Sequence, residues 1–320
     1  MRAVSLLTLF ASCAALVGAA PAADAELSSL QSWFCWNPER MEDFSKKEKE
    51  AYISAVNCLA KRPHSKLLKA SYPRADLPPI NENSSFYDDM TYIHMDLTNQ
   101  IHYTGFFLPW HRWYTNQHVT QLRKQCGYKG VMPYWDWSKD TASFNTSAMW
   151  DSDPTSGLGG FGDPNNDYYV NNGGFKDMKV SYPIKRGIRR QYTPYPYLSW
   201  WWVPRPKRQP RLYGFPKRDR KAQAFHANVH MIMGGDLAGT CPKAAGSPHA
   251  KEDRPGRPAT NLFAFKGGSN MTYTDPAFPN GYPPWLSVTD KLPTDGLFPQ
   301  PTILSTLNTL GSGEYCYIYA

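Results

Sequence analysis

Residues 94–137 read HMDLTNQIHYTGFFLPWHRWYTNQHVTQLRKQCGYKGVMPYWDW, and the rest of the chain is organised around them. Three histidines, His94, His102 and His111, lie eight and nine residues apart in an aromatic setting. Two more, His226 and His230, follow over a hundred residues later in His226-Ala227-Asn228-Val229-His230. Four apart on a helix, these two stand one above the other on a single face. Neutral imidazoles suit copper, zinc, iron or nickel. Two histidine clusters brought together by a fold would hold two metals.

The residues around the histidines narrow the metal. Position 227 is Ala, where zinc metalloproteases of the H-E-x-x-H type need Glu as general base. No Glu-x-x-His pattern occurs, which argues against a carboxylate-bridged di-iron bundle. An all-imidazole set is left, and copper binds such sites most tightly among first-row divalent ions.

Working outward, Pro109 suits the first turn of a helix that runs to Gln125 and stops at Gly127. Phe86 to His94 reads as a second helix, with Thr98 to Leu108 as a loop between the two. Ser45-Lys46-Lys47-Glu48 has capping-box form, and Tyr52, Ile53, Val56 and Leu59 follow at helical spacing, ending near Pro63. Phe225 to Met233 reads as helix closed by Gly234-Gly235. Residues 141–174 and 239–268 read as loop, and 283–319 as turns with short strand-like pieces. The class expected is mainly α, a helical bundle with long irregular loops and a few short strands.

The 320 residues, 41% hydrophobic and 14% aromatic, suit one large domain. Arg2, the apolar run Ala3 to Val17 and the small residues after it form a secretory signal pattern within residues 1–25. The expected location is therefore extracellular. The apolar run is short for a membrane span, and no later run reaches that length. Three sequons agree with secretion: Asn83-Ser84-Ser85, Asn145-Thr146-Ser147 and Asn270-Met271-Thr272. Without Cys13 of the leader, five cysteines remain, enough for two disulfides and one thiol. The formal charge of +8 is concentrated in residues 176–221, which hold fourteen Lys/Arg against two Asp. No nucleic-acid motif accompanies this run, so it reads as a solvated basic segment. The oligomeric state is not readable from the sequence.

The set FLPWHRW, CGYKG, PYWDW, HANVH, GGDL and DPAF resembles the tyrosinase and catechol oxidase family of type-3 copper proteins, especially short secreted fungal members. The resemblance covers Cys35 to Tyr319 and implies a single copper-binding domain over residues 26–320. It implies two coppers, with His94, His102 and His111 as ligands of the first and His226 and His230 of the second. It further implies oxidation of small o-diphenols, and in some members monophenols, to o-quinones with dioxygen. Arg40 and Tyr317 sit where the family packs an arginine against a C-terminal tyrosine motif.

The chain also departs from that pattern. The family's last copper ligand lies just after a D-P-x-F motif, whereas here Asp275-Pro276-Ala277-Phe278 runs directly into Pro279-Asn280-Gly281. No histidine occurs after His249, so the sixth ligand is expected to be missing and the second copper site to be incomplete. His249 lies in a Pro/Gly-rich loop that nothing fixes. His118 stands roughly 10 Å along the helix from His111, too far for the same ion. Gln100 excludes a Cys-His thioether before His102, and Ala227 tilts the expectation toward diphenols. The alternatives are a non-catalytic copper or dioxygen binder and an inactive family member.

Overall fold

A computed structural model describes residues 38–71, 78–102, 104–136, 139–140, 143–182, 184–192, 268–270, 281–307, 315 and 317. Helix α1 (Lys46–Leu59) opens with the capping box that its sequence announces. The Ser45 Oγ accepts from the Glu48 amide, and the Glu48 carboxylate accepts from the Ser45 amide at 2.8 Å. Two of the four orphan amides of the helix start are thereby satisfied. Its apolar face buries Ile53, Val56 and Leu59.

Helix α2 (Phe86–Asp96) carries a second capping box, Ser85 with Asp88. Asp88 is fully buried and also accepts from the amides of Ser181, at 3.1 Å, and Tyr182, at 3.2 Å. One carboxylate therefore starts the helix and fastens a distant loop to it. Thr98–Ile101, expected as loop, forms the one-turn helix α3. Its cause is burial: Leu97 and Ile101, four apart and both 0% exposed, can reach the core together only through a helical turn.

Helix α4 (Phe107–Cys126) is the longest element, with Pro109 in its first turn. Gly127 ends it at φ 67°, a left-handed cap that glycine takes without steric cost. Trp110, Trp113, Tyr114 and Leu122 turn its buried face to α1 and to the short helix α5 (Ile303–Leu307). A Cys58–Cys126 disulfide joins the ends of α1 and α4 across 68 residues. On the chain-entropy account, closing such a loop stabilises by about 4 kcal/mol.

Strands are few and short. β1 (Glu39–Arg40) pairs in parallel with β2 (Pro133–Tyr134), and β3 (Lys179–Val180) is antiparallel to β4 (Arg186–Gly187). β5 (Gly268–Asn270) is antiparallel to β6 (Tyr282–Trp285), with a register shift. Arg40 in β1 pairs with Asp43 at 2.6 Å. The described residues of 143–192 hold one-turn 3-10 helices, the β3–β4 ribbon and an isolated Tyr169–Arg189 bridge, in keeping with the Gly/Asn/Asp-rich composition of most of this stretch. Among the described residues no helix is long and apolar enough to cross a membrane.

Candidate metal centre

Three separate elements deliver His94, His102 and His111 to one point. His94 lies in the last turn of α2, His102 caps α3, and His111 sits in the second turn of α4. Their ring centroids are 5.0, 5.5 and 5.0 Å apart for the pairs 94–102, 94–111 and 102–111. One ring nitrogen from each lies within 4.8 Å of the others. His94 and His111 are buried, and His102 is half-buried.

Hydrogen bonds decide which nitrogen two of the rings offer. The His102 Nδ1 donates to the Thr98 carbonyl at 3.0 Å, and the His111 Nδ1 donates to the Phe107 carbonyl at 2.7 Å. A carbonyl can only accept, so Nδ1 carries the proton and Nε2 carries the lone pair. Backbone acceptors of this kind hold a metal-ligating imidazole in tautomer and orientation. Both acceptors are carbonyls four residues upstream of their histidine, so helical geometry itself selects the donor atom.

Aromatic rings complete the walls. Trp110 stands 5.7 Å from His94 and 5.2 Å from His111, and it stacks on Tyr114 at 4.7 Å. Phe107 lies 4.8 Å from His111 and 5.9 Å from His102. Trp110 is in turn pinned by its Nε1, which donates to the Pro293 carbonyl at 2.8 Å. Three imidazole lone pairs, no carboxylate among them and an apolar surround fit a borderline-soft ion such as copper.

The family profile described as the common central domain of tyrosinase matches residues 84–249, just over half of the chain. The chain belongs to the tyrosinase family. Tyrosinase-like protein phomQ1' of Diaporthe leptostromiformis is 38% identical over 114 residues, 35% of this chain and 26% of that protein. Tyrosinase P of Aspergillus terreus is 33% identical over 133 residues, covering 42% and 33%. N-acetyl-6-hydroxytryptophan oxidase of Emericella nidulans is 33% identical over 132 residues, covering 41% and 34%. The matched part thus spans a quarter to a third of the length of these relatives. A polyphenol oxidase variant from Thermothelomyces thermophila shares the fold, with a TM-score of 0.62 at 23% identity over 92% of this chain and 93% of that one.

Within this tyrosinase-family fold, His118 stays apart from the cluster. It is 1% exposed, its ring meets Tyr87 edge-on at 6.5 Å, and burial pushes it down to about 4. It is a neutral core histidine, as its distance along α4 implies. His64 lies in a loop, with its Nδ1 accepting from the Lys66 amide. His226, His230 and His249 lie outside the described residues, as do the expected helix 225–233 and the leader.

Two further features support the histidines. Trp110 braces His94 and His111. The Ser85–Asp88 capping box is legible in the sequence as S-x-x-D. A third contact has no sequence signal: Asp295, 3% exposed, faces Asp96 of α2 and is pushed up to about 7 by burial and by that neighbouring carboxyl.

Proposed function

We propose that this chain is a secreted copper oxidase that takes o-diphenols to o-quinones with dioxygen. His94, His102 and His111 hold the first copper, and His226 and His230 belong to the second. The observation that carries this reading is the convergence of three imidazoles, each with a ring nitrogen within 4.8 Å of the others, two of which keep Nε2 for a metal. Copper, when bound, supplies the redox chemistry and the Lewis acidity that holds a phenolate oxygen. An o-diphenol gives up two electrons and two protons; two such oxidations reduce one dioxygen to two waters.

The chain's own residues prepare for this. Thr98 and Phe107 fix the tautomers of His102 and His111 through their carbonyls, so each neutral ring presents Nε2 to a metal. Trp110 and Phe107 exclude water from the imidazole edges and strengthen electrostatic interactions there. Ala227 supports diphenols over monophenols as substrate, by resemblance to family members that differ at that position.

A second reading, a family member that binds one copper and does not turn over, is favoured by the lack of any histidine after His249. Copper per purified chain and electron spin resonance separate the two. The oxidase reading expects two coppers, a silent coupled pair and catechol-dependent oxygen uptake. One copper with an isolated Cu(II) signal and no oxygen uptake selects the second reading. No copper at all rejects both.

A further inference from the structure

We propose that Thr98 is a positioning residue of the metal centre: its hydroxyl holds His94, its carbonyl holds His102, and together they set the gap between these two ligands. This rests on the copper reading above. Thr98 stands four residues after His94 and four before His102. Its hydroxyl donates to the His94 carbonyl at 2.7 Å. Its own carbonyl accepts twice from His102, from the backbone amide at 3.2 Å and from Nδ1 at 3.0 Å. A carbonyl oxygen has two lone pairs, and here both serve one residue. The two imidazoles linked in this way have ring centroids 5.0 Å apart.

The link falls where the backbone is least constrained. Leu97 both ends α2 and starts α3, and it offers the new helix no side-chain cap. Burial of Leu97 and Ile101 makes the turn form, but it does not fix the angle at which α3 leaves α2. A threonine hydroxyl bonded to the carbonyl four residues back competes with the backbone and tends to bend a helix. At Thr98 that bend lies between two ligands, so it turns α3 and carries His102 toward His94. Thr115 makes the same kind of bond. Its hydroxyl is shared between the carbonyls of His111, at 3.0 Å, and Arg112, at 3.1 Å. That bond lies inside α4 and joins no second ligand. The two threonines share a chemistry and differ in what they connect, so comparing them separates positioning of the ligands from ordinary back-bonding in a helix.

The test titrates the metal-free full chain with Co(II) and follows the d–d absorption, which reports ligand geometry without turnover. The step lost in H111A marks the first site. T98V removes the hydroxyl and keeps the branched shape, whereas T98S keeps the hydroxyl. The expected result is first-site affinity weaker by roughly 10–100-fold in T98V, as for other groups that orient a metal ligand. T98S should restore both affinity and spectrum, and T115V should leave both as in the unmutated protein. Equal losses in T98V and T115V, or a T98V site as tight as the original, overturn the proposal. A loss in T98S as large as in T98V also overturns it, because the hydroxyl is then not the deciding group. So does a T98V chain that fails to fold, since Thr98 then serves the fold rather than the ligands. Unmutated protein that takes up neither cobalt nor copper overturns the copper reading, and the proposal with it, before any variant is made.

Discussion

The helices around the histidines and the irregular layer over residues 143–192 are held by different forces. The first is a periodic apolar interior: Ile53, Leu59, Ile93, Leu97, Ile101, Trp110 and Leu122 are all at most 2% exposed. The second has little repeating pattern and depends on side chains that bond to backbone. Asp153 accepts from the amides of Thr155 and Ser156. Arg190 fans out to the carbonyls of Leu158, Gly159 and Gly160 and lies 4.8 Å over the Trp150 ring. A chain that must bring three imidazoles to one point needs the stiff kind of scaffold, and His94, His102 and His111 sit in it. The layer beside them is fixed locally, contact by contact, and its parts can open one at a time.

The largest expected effect breaks the first kind of order. Trp110→Ala removes a fully buried indole, its stack on Tyr114 and its bond to Pro293. Loss of such a side chain costs about 3–5 kcal/mol. Denaturant unfolding should show a fall of that size in one cooperative transition. Trp110→Phe keeps a ring but loses the N–H, and its cost should be clearly smaller. If Trp110→Ala unfolded the protein in two separate steps, the helices and the C-terminal segment would not form one unit.

How much was legible follows the same division. The capping box at Ser45, the helix stop at Gly127 and the histidine triplet could be read because local chemistry and helical period agree there. The triplet's meeting point could not be derived from spacing, since His102 needed α3, and that turn is imposed by burial of Leu97 and Ile101. In the irregular layer the sequence marks loop and stops. Gly162 reads as an ordinary turn glycine, but a Cβ there would stand 1.9 Å from the Tyr168 carbonyl oxygen. Arg190 reads as one more charge in a basic run, while the fold uses it to satisfy carbonyls. Contacts of that kind join particular atoms at no fixed spacing, so no pattern in the chain announces them.

The next effect sharpens the comparison by pH. His118 belongs to the helical interior, and burial holds it at about 4, below the ordinary histidine value. At this residue the folded chain therefore binds fewer protons than the unfolded chain between about pH 6.5 and pH 4. Its contribution to stability is fully present above the unfolded value and is lost as pH falls through that window, whereas Asp295, raised to about 7, acts in the opposite direction. The loss should be on the order of 3 kcal/mol for this residue, most of it gone by pH 4. His118→Phe keeps a ring facing Tyr87 and removes the titration, so its unfolding free energy should fall less as pH drops over the same range. An unchanged slope in His118→Phe would mean that the imidazole is solvated in the native protein.

The smallest effect belongs to the irregular layer. Arg190→Met keeps much of the stem volume and deletes the donors to three carbonyls. Among the described residues no carboxylate pairs with this guanidinium, so its role there is to satisfy backbone acceptors and cover Trp150. Leaving buried acceptors unmet costs about 1–3 kcal/mol. The cost should appear locally, as faster amide exchange over residues 157–162 and 168–174, with α2 and α4 as protected as before. This outcome would show that the layer is built as separable contacts resting on the helices. Faster exchange spreading into α4, and with it to His111, would instead make the layer a structural part of the metal centre. The two regions would then have to be treated as one scaffold held by two kinds of bond.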